Sequence, residues 1–502
     1  MARGKASKRA VRYGGVTVLL TVLVIAAAVV SNTILATLSL RYGWFASMRP
    51  TLTYPVTDAA YEYLDTYVMP DLRKSGETLE IIFCTERDEV TSSETLTFVY
   101  HTATELAEKY PDDIGISYLN IWERPSTARA YGVDADTSVV VKCGDDFRTC
   151  RIEDFFASDT AGKTVGYSGE KRFAVAMKAV VDGDAPMCYV TLNHGESFAD
   201  YALLHAITDA GYTVSYLDAV QFDIPDDCEL LVTHAPLQDL ADAKDEASDV
   251  SEIEKLNAYL SRGGKHMVFV SADTFMNGEL STLEGYLAEW GVTFERKLGE
   301  GGVEKSYAVR DNAHALTADG YTFLGVLPES GSGKAATEGV GGTIRVGNAT
   351  GMTVAKGYQK NGAGDFVSGD KTLVTLLSSY PNAEAWVDGR AVERATAGYG
   401  IVTVTKRADN GGCVMVCSST EMGTEASMQA GAYDNAAFLQ SAIRLMGKDD
   451  TPVRLTAQPF AESEIHSLTV TRARTITVLL VALPVVVVSV VGAVILIRRR
   501  LS

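Results

Sequence analysis

The residues whose types and spacing best suit chemistry form a short polar turn, Asn193-His194-Gly195-Glu196, at the end of an apolar run through Cys188, Tyr189, Val190 and Leu192. A histidine and a glutamate two positions apart suit acid-base or metal chemistry, and the glycine between them lets backbone N–H groups face a ligand near a helix N-terminus. No second pair of ligands stands beside them. The plainer reading is therefore that Glu196 and Ser197 cap the following helix while His194 packs in the turn. Glu170, near the start of an upstream helix, and Asp273, in a turn after a later strand, complete the candidate ligand or partner contacts: His194, Gly195, Glu196, Glu170 and Asp273.

Other chemistries are excluded residue by residue. Glu329-Ser330-Gly331-Ser332-Gly333-Lys334-Ala335 resembles a phosphate-binding loop, but Pro328 stands where the first glycine belongs and Ala335 where a hydroxyl must meet magnesium. It reads as a flexible loop, so any ATP at work must be bound by another subunit. A hydrolase needs a nucleophile at a glycine-flanked turn; Phe269-Val270-Ser271-Ala272-Asp273 lacks both glycines, and no Ser/His/Asp set can be ordered. Where a thioredoxin would carry C-x-x-C, this chain has Cys84-Thr85-Glu86-Arg87. The seven cysteines are scattered and odd in number. Cys143 and Cys150 flank a predicted hairpin and leave two readings open, a disulfide or two buried thiols; the second fits the scatter better. No metal, cofactor or catalytic residue is expected.

The elements that must position these residues follow from periodicity. Cys188 to Asp218 reads as strand, glycine turn, helix, strand, with Ala199, Leu203, Ala206, Ile207 and Ala210 on one helix face. A turn at the carboxyl end of such a strand is where open α/β sheets place ligands. Upstream, Leu52 to Tyr67 ends in a helix capped by Thr57 or Asp58 and stopped by Met69-Pro70. Strand 79–84, helix 97–110, strand 114–121, a short helix at 127–131 and a hairpin over 138–152 resemble a thioredoxin-like layer, and 164–182 reads as a helix. Downstream, strands at 229–233 and 266–271 alternate with helices at 251–260 and 282–291. Glycine-dense 299–369 reads as an irregular β-rich insertion; strands 372–377, 401–406 and 413–417 and a helix at 435–446 follow. The fold class is α/β: a thioredoxin-like layer over 52–158, a connecting helix within 159–185, and a doubly wound, mostly parallel amidotransferase- or flavodoxin-like domain over 186–450. Residues 451–474 read as a polar stalk.

Both ends carry long uncharged runs, 27 positions from Gly14 to Leu40 and 22 from Ile476 to Ile497. Each exceeds the roughly 20 helical residues that cross a bilayer. A cleaved signal peptide competes for the first, but its apolar core would be only about 7–15 residues long. Basic tails at 1–13 and 498–502 put both termini in the cytoplasm and the body outside a bacterial cell membrane, extracellular or periplasmic. Without the eight basic residues of those tails, 37 basic face 64 acidic residues, a formal charge of −27. Such a body repels nucleic acid.

Four segments taken in order resemble a known family: LTYPVTDAAYEYLDTY, YSGEKRFAVAMKAVV, TLNHGES and IEKLNAYLSRGGKHMVFVSAD. Together with both anchors they are similar to GldG-like auxiliary proteins of ABC-type (ABC-2) export systems, a gliding-motility-associated family, over roughly residues 52–450. The family's Gly-His-Gly-Glu turn maps onto His194, Gly195 and Glu196, with Asn193 in place of its first glycine, and Glu170 matches its helix-heading acid. The resemblance implies a non-catalytic, membrane-anchored auxiliary subunit whose outer domain contacts a permease or a substrate. Its expected partners are an ABC ATPase, a multi-span permease and the lipid bilayer, with no nucleic acid; the substrate is not specified. The alternative is an independent membrane-anchored sensor or solute-binding module, and a degenerate surface hydrolase comes third.

Overall fold

The computed structural model describes residues 54–133, 135–158, 163–183, 185–196, 200–242, 251–276, 278–428 and 432–460, with Arg474, Thr475 and Val478. The apolar segments 14–40 and 476–497, apart from Val478, lie outside the described residues. Among the described residues no helix is long and apolar enough to cross a membrane.

Strand Leu79–Phe83 is the centre of a four-stranded sheet, with Ile114–Tyr118 parallel on one side and Val139–Cys143 antiparallel on the other, followed by Asp146–Cys150. Strand side chains alternate between faces, so Leu79, Ile81 and Phe83 enter one core while Ile82 and Cys84 enter another. The first core is closed by helix Glu94–Lys109, through Val99, Ala103 and Leu106, and by helix Gly169–Asp182, through Phe173, Met177 and Val180. The expected order of strand, helix, strand, helix and hairpin is observed, with one addition: a short helix, Arg87–Ser92, precedes the long one.

The second sheet has eleven strands. Five run parallel in the spatial order Thr213–Leu217, Met187–Thr191, Cys228–His234, Lys265–Phe269, Cys413–Cys417. Both faces are covered. Met267, Phe269, Met415 and Cys417 pack beneath helices Tyr201–Asp209 and Asn435–Leu445, whereas Val268, Val270, Val414 and Val416 pack beneath Glu252–Ser261 and Ser281–Glu289. Near-continuous apolar strands such as Cys413–Cys417 are what burial on both faces demands.

Several expectations are corrected. The sheet is mixed rather than mostly parallel: Gly400–Arg407, Lys371–Ser378, Phe366–Ser368 and Gln359–Lys360 extend it antiparallel. Three of the four connections are short, at 361–365, 369–370 and 408–412, too short for the crossover of a dozen residues that a parallel pair needs; Lys371–Ser378 and Gly400–Arg407 are instead joined through 379–399, which carries the hairpin Glu384–Val387/Arg390–Arg394. Met69-Pro70 does not end the first helix. A π-helical segment, Leu64–Val68, leads into helix Met69–Ser75, whose first turn accepts Pro70 because an N–H there needs no partner. Residues 164–167 are a strand, not the start of a helix, because Tyr167 pairs with both Phe156 and Gln458. Residues 331–336 form a short helix rather than a flexible loop: a Cβ on Gly333 would lie 2.5 Å from the Thr375 carbonyl, and Ser332 bonds Asp365.

The supposed stalk is also part of the body as far as residue 460. Val453 and Leu455 are buried, Gln458–Pro459 adds a strand beside Thr164–Tyr167, and the Phe460 ring lies 5.5 Å from that of Tyr54. Residues 461–473 lie outside the described residues. All seven cysteines are free and buried. Cys143 pairs with Asp146 and Cys150 with Val139, at opposite ends of the hairpin, so four rungs of roughly 3.3 Å each keep their sulfurs from bonding.

Candidate functional site

The turn after Met187–Thr191 folds back on itself. Asn193 and Gly195 take positive φ angles of 80° and 68°, and the Asn193 amide donates to the Asp218 carboxylate. This reversal turns Glu196 towards its own strand, where Oε2 accepts the His194 backbone N–H at 2.5 Å and Oε1 lies 3.0 Å from His194 Nδ1. The other ring nitrogen, Nε2, stands 2.9 Å from Glu252 Oε2. Glu252 is the first residue of its helix, behind the cap Ser251, and its Oε2 also accepts the Ala241 N–H at 2.6 Å. The His194 carbonyl accepts the N–H groups of Leu237 and Gln238 at 2.9 and 2.8 Å. The loops that follow two neighbouring strands are thus stitched together through one histidine.

His194 is 3 % exposed. Burial opposes its charge, but hydrogen bonds to Glu196 and Glu252 and the negative charge of both outweigh it and lift its pKa to about 9. Burial likewise opposes the charge on Glu196, and hydrogen bonds from His194 and from backbone N–H groups overcome it, so its pKa falls. The result is an imidazolium held between two carboxylates. Both ring nitrogens act as N–H donors, which leaves no lone pair for a proton or a metal ion.

Glu196 also begins a buried polar chain across the sheet. Thr191 Oγ1 lies 3.2 Å from Glu196 Oε1 and 3.0 Å from Thr233 Oγ1; Thr233 Oγ1 lies 3.0 Å from His266 Nε2, and His266 Nδ1 lies 2.8 Å from the Tyr286 hydroxyl. Burial pushes the His266 pKa down to about 3, so this ring is neutral. A carboxylate only accepts, so the Thr191 hydroxyl donates towards Glu196, and it is likewise oriented as the donor towards Thr233. Every member is satisfied, as buried polar groups must be.

Of the candidates from sequence, the structure brings together His194, Gly195 and Glu196. Glu170 lies in the other lobe, where its Oε2 accepts the Thr57 N–H at 2.8 Å and ties the first helix to Gly169–Asp182. Asp273 is exposed beyond Lys265–Phe269 and accepts the Asn348 amide at 2.5 Å. Glu196 does not cap the next helix. That helix starts at Tyr201 behind Asp200, whose carboxylate accepts the Ala202 N–H. Ser197 and Ala199 lie outside the described residues. Sequence reasoning missed Glu252, Thr191, Thr233, His266 and Tyr286. Thr191 and Thr233 each follow an apolar run on their strands, where a threonine reads as one more strand former, and Glu252 stands just after an acidic run, where it reads as a solvated charge.

No protein-family model and no curated protein matches the chain. Solved structures similar to it include an "mmIFT52 N-terminal domain", 13% identical with a TM-score of 0.35, covering 52% of this chain and 96% of that one. PurLQS from Thermotoga maritima is 15% identical with a TM-score of 0.25, over 52% of this chain and 100% of that one. A glutamine amidotransferase from the same organism is 10% identical with a TM-score of 0.27, over 54% and 98%.

Proposed function

We propose that the chain is a non-catalytic, membrane-anchored auxiliary subunit of an ABC-type export system, built from a thioredoxin-like lobe and an amidotransferase-like lobe that stand outside a bacterial cell. The observation that carries this reading is the meeting of the two ends of the folded body. Tyr54 and Phe460 share an aromatic cluster with Phe98, Phe156 and Tyr167, so the chain enters and leaves the body at one place. A body tethered by two apolar segments, 14–40 and 476–497, needs this arrangement if both are to enter one bilayer. The intervening 13 and 15 residues reach at most about 45–55 Å when extended.

The closed histidine clamp supports a role without turnover, because a ring with both nitrogens committed to carboxylates neither accepts a proton nor activates a nucleophile. Two spans are too few to form a transport path, and the chain carries no phosphate-binding loop, so the ATPase and permease are separate chains. Co-purification from native membranes in mild detergent tests the reading. A stable complex with an ATPase and a multi-span permease is expected; a solitary chain overturns it. Protease added to intact cells or spheroplasts should remove the body, and its survival would overturn the topology.

A further inference from the structure

A cleft opens where the large sheet splits. Strand Met352–Val354 meets Gly400–Arg407 at a single position, Met352 opposite Gly400, and otherwise pairs with Val292–Phe294. Between this pair and strands Lys371–Ser378 and Gly400–Arg407 lies a cavity of about 390 Å³, within the roughly 300–1,000 Å³ typical of small-molecule sites. Met352, Val354, Leu373 and Phe366 give it apolar walls, and exposed Ser330, Lys360, Ala363 and Ala397 mark its rim. No residue of the histidine clamp lines it.

Its polar groups have bonding capacity to spare. Thr375 and Thr403 stand directly opposite each other on neighbouring antiparallel strands, so both side chains point to one face. Thr403 is 5 % exposed and lines the cavity, yet its hydroxyl oxygen finds no hydrogen-bond partner among the described residues. A buried hydroxyl normally has one, because giving up water without a replacement bond is unfavourable. Asp365, 7 % exposed, also lines the cavity, and its Oδ2 accepts the Ser332 hydroxyl at 2.6 Å. A carboxylate has about four lone-pair sites, so most of its accepting capacity is left for a donor in the cleft.

These features decide the kind of guest. The lining carries one cation and one anion, Lys360 and Asp365, so a charged guest would lose its hydration without meeting a net counter-charge. Asp365 calls for donors, whereas the two threonine hydroxyls both donate and accept. A ring bearing several hydroxyls matches both demands, and its C–H face suits the apolar wall. We infer that this cleft binds a neutral polyhydroxylated ring of monosaccharide size, with its hydroxyls on Thr403, Thr375 and Asp365 and its C–H face against Phe366, Leu373 and Val354. The inference goes beyond the auxiliary role proposed above and stands whether or not an ATPase and permease accompany the chain.

Saturation-transfer NMR and titration on the purified full chain in nanodiscs test it, with the methyl glycosides of glucose, galactose, mannose and N-acetylglucosamine as probes. Cyclohexanol, glucuronate and glucosamine serve as apolar, anionic and cationic controls. At least one neutral glycoside is expected to bind, at least tenfold more tightly than any control. Thr403→Val keeps the shape of the side chain and removes only the hydroxyl. It should weaken that glycoside at least fivefold while the urea midpoint stays the same or rises, because no bond within the protein is lost. Ala397→Trp, at an exposed position on the rim that leaves folding intact, should weaken binding at least tenfold by filling the cleft. No binding by any of the four glycosides would overturn the inference. So would equal binding of a control, unchanged affinity in either variant, or a lower urea midpoint in Thr403→Val, which would assign the hydroxyl to the fold.

Discussion

Two buried histidines within one polar chain respond to pH in opposite senses. His194 has its pKa raised to about 9, above an unfolded value of about 6.5, so its stabilisation is complete below pH 6.5 and is lost as pH rises through 9. His266 has its pKa lowered to about 3, so its stabilisation is complete above pH 6.5 and is lost as pH falls through 3. Urea midpoints measured from pH 4 to 10 should therefore peak near neutrality and fall on the alkaline side by about 1 kcal/mol per unit between pH 7 and 9. In His194→Leu the alkaline limb should flatten; a limb that persists in this variant assigns it to other groups. Glu252→Ala leaves His194 Nε2 and the Ala241 N–H without their carboxylate, and equilibrium unfolding should show a loss of about 3 kcal/mol.

Elements carry a different kind of information, because their ends depend on which polar groups find partners. Helix Tyr201–Asp209 begins where Asp200 caps it, and Asp200→Ala should cost about 1 kcal/mol in the same unfolding measurement. The hairpin Val139–Cys150 holds Cys143 and Cys150 at its two ends, and burial raises the pKa of both thiols, to about 11 for Cys150. Thiol titration should accordingly find little or no reactive cysteine in the native chain and seven in denaturant, even for protein exported to an oxidising compartment. Fewer than seven in denaturant would reveal a disulfide.

For the molecule as a whole, the last described segment closes the first lobe. Leu455 is 1 % exposed within the core of residues 56–180, and Gln458–Pro459 pairs with Thr164–Tyr167, almost 300 positions earlier in the chain. Truncation after Gly447 should therefore destabilise the distant N-terminal lobe by about 3 kcal/mol or more, through the lost burial of Val453, Leu455 and Phe460. Hydrogen exchange of Leu79–Phe83 amides reads this directly. Unchanged protection would show that the lobe folds without its closing strand.

Local pattern alone determined much of this protein. The alternation that buries Leu79, Ile81 and Phe83, the apolar run Cys413–Cys417, the glycine turn at Gly195 and the helical spacing of Leu203, Ala206 and Ile207 are all short-range, and a run of ten residues suffices to state them. The tertiary structure alone decided which distant residues meet. Glu252 reaches His194 across 58 positions, Asp209 reaches Arg172 across 37, and Gln458 finds Tyr167 across 291. No periodicity encodes such pairs, because a carboxylate destined for a buried histidine and one destined for water have the same side chain. The antiparallel half of the large sheet belongs with them: its residues are strand formers either way, and strand direction depends on where each connection returns the chain rather than on what the strands contain.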